Sequence, residues 1–179
     1  ADKLKAARDT FAGAMKESQV LYPAFAKIGT PMVVDHTCAI RIFPTKNFSA
    51  TGEYEPLDKL GVEVQMTRNV GSEACYGCPV GCSQIKLAQK GPYAGILTEG
   101  PEFETMYSYG GVTGVENIDA IIAADRLADE LGLDTISSGV ATHLSGVNLN
   151  SRSISFSLVH SALLKSVLTI RGAMALTRT

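Results

Sequence analysis

Three cysteines fall within eight residues, in the stretch Ala74-Cys75-Tyr76-Gly77-Cys78-Pro79-Val80-Gly81-Cys82. The C-x2-C-x3-C spacing lets several thiolates converge on one centre, so the chain around Cys75, Cys78 and Cys82 has to form a cradle. Gly77 and Gly81 relax the backbone, and Pro79 fixes a turn directly after the second thiol. Iron–sulfur clusters and zinc are the two usual occupants of such a donor set. The remaining cysteine, Cys38, lies two residues after His36. The plain reading of this pair is a core histidine and a buried thiol, because free cysteine is among the most buried residue types. The sharper reading makes one of them a further metal ligand.

A chain of 179 residues can bury a real core, as one domain or one domain with an appendage. Apolar residues make up 45% and charged residues 19%, which suits a globular protein and excludes bulk disorder. The net charge of −2 argues against nucleic-acid binding. The sequence contains no run of about 18 apolar residues, so no membrane span is expected. It opens on Ala1-Asp2-Lys3-Leu4-Lys5, which is not a signal-peptide pattern. Clustered cysteines read as ligands and not as a disulfide framework, which points to a reducing cytoplasm. All eighteen acids lie in 1–134, against twelve Lys and Arg; residues 135–179 hold four Lys and Arg and no acid. The acid-free stretch suggests a tail of different origin or role, and the organisation expected is a domain over 1–139 and a divergent tail over 140–179.

Apolar residues recur at helical spacing over 2–17 through Leu4, Ala7, Phe11, Ala14 and Met15. A short helix over 20–28 enters through Tyr22-Pro23 and stops at Gly29-Thr30-Pro31. Residues 32–42 are apolar and β-branched, and fit a strand or a buried helix equally. The segments 57–60 and 62–66 are too short to type. Gly110-Gly111-Val112-Thr113-Gly114 reads as a flexible break. The clearest helix is 118–131, capped by Asn117 and ended by Gly132, with Asp134 or Thr135 able to cap the next one. Residues 157–170 fit an amphipathic helix, and His143 and His160 read as ordinary surface or half-buried residues. With few clear strand alternations, the fold class expected is mostly α.

Acidic residues gather in Thr98-Glu99-Gly100-Pro101-Glu102-Phe103-Glu104-Thr105. One reading is structural: a proline opens a helix and acids favour its N-terminus. The other is functional: a carboxylate faces a cofactor pocket, where desolvation raises its pKa into the general-base range.

Three motifs in this order resemble the second domain of the tungsten-dependent aldehyde ferredoxin oxidoreductase family. They are Cys75-x-x-Cys78-Pro79-x-x-Cys82, the stretch Glu99 to Thr105, and Asp129-Glu130-Leu131-Gly132-Leu133-Asp134, which matches a D-x-x-G-L-D pterin motif. Phe43-Pro44-Thr45-Lys46-Asn47-Phe48 also looks like a loop of that family. The resemblance covers roughly residues 1–140. It implies that Cys75, Cys78 and Cys82 bind a [4Fe–4S] cluster, and that Asp129, Leu133 and Asp134 contact a pterin of a tungsten (or molybdenum) bis-pterin cofactor. It also implies a glutamate near the metal, Glu104 first and Glu102 second. The implied reaction oxidises an aldehyde to a carboxylic acid and passes electrons through the cluster to ferredoxin.

The chain is much shorter than that family's members and lacks a second pterin motif and a fourth cluster cysteine. It therefore reads as a fragment, an internally truncated product or a frameshifted end, with the missing domains as its partners. A pterin normally held between domains would leave surface open here, which favours a homo-oligomer. Two other functions stay open. One is a zinc-binding structural module on Cys75, Cys78, Cys82 and either Cys38 or His36. The other is a catalytically inactive helical domain with an empty site.

Overall fold

The fold is built around a helix whose ends are written into the sequence. In the computed structural model, which describes residues 2–18, 21–53 and 56–144, α7 spans Ile118–Leu131. Asn117 Oδ1 accepts from the amides of Asp119 and Ala120 at 3.0 and 3.3 Å, satisfying two donors of the first turn. Gly132, at φ 64°, ends the helix in the left-handed region. Every residue from Ile118 to Asp125 is buried, with Leu127 and Ala128, so α7 is enclosed on all sides over its first two turns and forms the centre of the core.

The other helices among the described residues are α1 (Asp2–Glu17), which buries no residue, α2 (Leu21–Lys27), α3 (Val33–Ala39), α4 (Leu57–Leu60), α5 (Val62–Met66), α6 (Phe103–Thr105) and α8 (Thr135–Leu144). The described residues are mostly helical, as the periodicity predicts. Within 32–42, Val33–Ala39 forms a helix, with Val34, Thr37 and Cys38 turned inward. His36 is exposed, so the expected core histidine is corrected: it lies on the opposite face of α3 from Cys38. Residues 57–60 and 62–66 are single helical turns stacked through Gly61, whose amide bonds Leu57 O at 3.0 Å. The predicted helix over 157–170, His160 and most of the predicted tail lie outside the described residues. No helix among the described residues is long and apolar enough to cross a membrane.

Two features differ from the sequence reading. The glycine pair at 110–111 is no flexible break. It belongs to a wide π-helical turn, Met106–Val112, in which Gly110 and Gly111 are buried. The second difference is an antiparallel sheet in the order β1-β2-β3, from Asn69–Glu73, Ser83–Leu87 and Leu97–Glu99. Its register pairs Glu73 with Ser83 and Ile85 with Glu99, with a bulge between Asn69 and Gly71. Ser83, Gln84 and Lys86 are the buried residues of β2 whereas Ile85 and Leu87 are half-buried. The apolar alternation that announces a strand is therefore missing from this one.

Candidate metal and cofactor site

The three clustered thiols lie on the connection between β1 and β2, which the sheet holds at both ends. Cys78 N donates to Cys75 O at 2.9 Å, closing a β-turn whose third residue, Gly77, has φ 72°. Gly81, at φ 63°, brings the loop back so that a Cβ there would stand 3.6 Å from Ala74 Cβ. Cys75 and Cys78 are exposed and Cys82 is half-buried. Burial pushes the Cys82 thiol up, and the Glu102 carboxylate pushes it further, with smaller contributions from Cys78 and Cys75. No three His, Cys, Asp or Glu side chains among the described residues are gathered closely enough to hold a metal ion. The donor chemistry suits a thiolate-bound group: three reduced thiols share one short loop with two left-handed glycines, and two of the thiols face solvent. Cys38 is 2% exposed and packs in the hydrophobic core, which agrees with the plain reading of a buried thiol.

The two glutamates of the acidic stretch part company. Glu102 is half-buried and accepts a hydrogen bond from Thr30 Oγ1, which in turn accepts from Phe103 N at 3.0 Å. Glu104, on α6, is exposed. The Tyr107 phenol is pushed up by burial and then by the carboxylates of Glu104 and Asp134, so these two acids share its neighbourhood. The segregation follows from geometry: Glu102 ends an extended segment and Glu104 begins a helical turn.

The residues of the D-x-x-G-L-D motif surround the left-handed Gly132 at the end of α7. Asp129 and Asp134 are exposed, and Leu133 is half-buried against the core. Asp134 Oδ2 accepts from Ser137 N at 2.7 Å as the cap of α8, and that bond holds its carboxyl below the ordinary range. Burial pushes Asp129 up, while Arg126 pulls it down and Glu99 adds to the rise. Asp129 thus feels the charge of Glu99, and Asp134 and Glu104 both act on Tyr107.

Behind that segment lie groups the sequence reading passed over. Lys86 is 1% exposed, and its Nζ lies 3.4 Å from Pro101 O. Burial brings it down to about 8, against the pull of Glu102 and Asp125. Asp125 is 4% exposed, accepts from Thr98 Oγ1 at 2.8 Å, and is pushed up to about 6 by burial. Gly100 is required there: a Cβ at that residue would stand 2.8 Å from Asp125 Oδ2. A lysine between Ile85 and Leu87 was the available signal. The Phe43–Phe48 loop packs on the π-helical turn, with Lys46 N bonded to Gly111 O at 3.0 Å and Asn47 N to Val112 O at 3.1 Å. Lys46, Asn47 and Phe48 all take positive φ, a strained run outside glycine.

The family model described as aldehyde ferredoxin oxidoreductase, domains 2 and 3, matches residues 6–144. The chain belongs to the aldehyde ferredoxin oxidoreductase family. It is 37% identical over 114 residues to a tungsten-containing aldehyde ferredoxin oxidoreductase of Pyrococcus furiosus, covering 63% of this chain and 18% of that protein. The corresponding protein of Thermococcus kodakarensis is 36% identical over 114 residues, with the same coverage of 63% and 18%. A WOR-like subunit of an aliphatic sulfonate oxidoreductase from P. furiosus is 39% identical over 66 residues, covering 37% of this chain and 11% of the relative. The chain thus spans less than a fifth of the length of these three family relatives.

Proposed function

We propose that this chain is the part of a tungsten-dependent aldehyde ferredoxin oxidoreductase that carries the [4Fe–4S] cluster on Cys75, Cys78 and Cys82. In this reading Asp129, Leu133 and Asp134 border one pterin of a tungsten (or molybdenum) cofactor, and ferredoxin receives the electrons. The observation that supports it is the set of three free thiols on the one short loop between β1 and β2, inside the residues that the family model matches. When bound, the cofactor supplies the two-electron redox chemistry of aldehyde oxidation. The chain's own contributions are simpler. Glu104 accepts a proton from the water whose oxygen enters the carboxylic acid. Asp129 and Asp134 offer hydrogen-bond acceptors, held in place by the end of α7 and the cap of α8. The Cys75–Cys82 loop provides thiolates.

Anaerobic reconstitution with iron and sulfide tests the cluster. A broad visible charge-transfer band, with iron and sulfide bound together, is expected, and Cys78→Ser is expected to abolish it. Stoichiometric zinc without that band would overturn this reading in favour of a zinc module. In the complete enzyme, Glu104→Gln is expected to lower kcat roughly a hundredfold while leaving the band unchanged. Unaltered turnover would remove Glu104 from the reaction.

A further inference from the structure

Asp125 has no part in the reaction just described, yet it stands behind the stretch that carries Glu104. It lies on α7, is 4% exposed, and so needs hydrogen-bond donors. They come from the two ends of that stretch. Thr98 Oγ1 donates to Asp125 Oδ2 at 2.8 Å, and the side chain of Thr105 is its second hydrogen-bond partner. Between these two threonines the chain presses on the same carboxylate: a Cβ on Gly100 would stand 2.8 Å from Asp125 Oδ2, so only glycine fits. One buried acid thus fastens residues 98, 100 and 105, with Glu102 and Glu104 on the stretch between. Lys86 Nζ, 3.4 Å from Pro101 O, and Gly100 N, 2.8 Å from Gln84 O, tie its crest to β2. Beyond Thr105 the bonding runs on to α8, where Thr105 Oγ1 and Thr135 Oγ1 lie 3.0 Å apart and Thr135 directly follows Asp134.

We propose that Asp125 is a positioning residue: it staples the stretch 98–105 at both ends and fixes Glu104 relative to the D-x-x-G-L-D motif. The inference rests on the role given to Glu104 above. A carboxylate accepts on both oxygens and serves two hydroxyls at once, through bonds that its charge strengthens. An amide in its place has one acceptor oxygen and turns a donor toward the other hydroxyl. With one end released, Glu104 stays on the protein but samples more positions, and a group that moves a proton loses rate when it is misplaced. No contact with substrate is removed, so the loss falls on kcat and not on KM.

Steady-state kinetics of the complete enzyme and hydrogen exchange in this chain test the staple. D125N is expected to lower kcat roughly tenfold with KM unchanged. T105V is expected to act in the same way, T105S, which keeps the hydroxyl, to restore kcat, and T105V to add nothing once D125N is present. In the chain itself, D125N is expected to speed exchange of the Phe103 and Met106 amides, which donate to Thr30 Oγ1 and Glu102 O. Exchange of Gln89 N, bonded to Asp119, is expected to stay as it was. R68M, which opens that other buried site, is expected to do the reverse: faster exchange at Gln89 with kcat unaltered. If E104Q lowers kcat but D125N and T105V do not, or if T105S is no better than T105V, the positioning role is overturned and the reading of Glu104 stands. Unaltered turnover in E104Q removes both together. If D125N does not fold, T105V against T105S decides alone.

Discussion

Gly111→Ala is expected to destabilise the fold by about 3 kcal/mol, the upper end of what overpacking a core costs. The added Cβ would lie 2.1 Å from Pro44 O and 2.7 Å from Phe43 Cε1. The oxygen belongs to backbone, so no rotamer change relieves the overlap. Moving that backbone away would also break the bonds from Lys46 N to Gly111 O and from Asn47 N to Val112 O. Those bonds hold three consecutive residues at positive φ, and their loss would release the loop. Gly13→Ala is the control, since nothing lies within 4 Å of its added Cβ and alanine suits a helix better than glycine does. Urea denaturation followed by circular dichroism reads both. A midpoint for Gly111→Ala equal to that of the unsubstituted chain would show that the Phe43–Phe48 loop is free to move off the π-helical turn.

Arg68→Met is expected to cost about 3 kcal/mol at neutral pH, because it strands a buried carboxylate. Arg68 and Asp119 are 8% and 3% exposed, and they meet in a two-pronged pair: Nε to Oδ1 at 3.0 Å and Nη2 to Oδ2 at 2.9 Å. Gln89 N also donates to Asp119 Oδ1, at 2.7 Å. The cluster joins the start of α7 to the open end of the β1–β2 pair, opposite the cysteine loop. Replacing both partners by apolar residues of similar size is expected to cost less than either single change, since no buried charge is then left alone. The pH dependence has a definite sign. Burial pushes Asp119 up, but the Arg68 and Gln89 bonds outweigh it, and the carboxyl ends below its ordinary value of 3.8. Its contribution is therefore present above that value and is lost as pH falls through the depressed one. Arg68→Met should flatten the acid limb of the stability–pH curve; an unchanged acid limb would show that the pair is not what acid titrates.

The motifs and the principal helix were legible because each depends on neighbours in sequence. Asn117 and Gly132 bound α7 through local bonding, and the cysteine loop uses the backbone freedom of Gly77 and Gly81, both at positive φ. The sheet was not legible, because β2 buries Ser83, Gln84 and Lys86, and a strand recognised by apolar alternation does not look like that. Gly110 and Gly111 looked like freedom and are close packing, since a missing side chain signals either one and only the neighbours distinguish them. His36 and Cys38 sit two residues apart, and the helical rotation between them sends one to solvent and the other to the core.

The sequence by itself determined the family, the thiol loop, the ends of α7 and the acidic and D-x-x-G-L-D motifs, all of which are patterns within a few residues. It could not separate Glu102 from Glu104. That separation is tertiary. Glu102 is drawn back by Thr30, a residue of a corner near the start of the chain, and is half-buried. Glu104 is left at the surface beside Tyr107 and Asp134. Two carboxylates of identical chemistry acquire different environments because burial and neighbouring charge are properties of what packs around a residue, and those contacts come from residues distant in the chain.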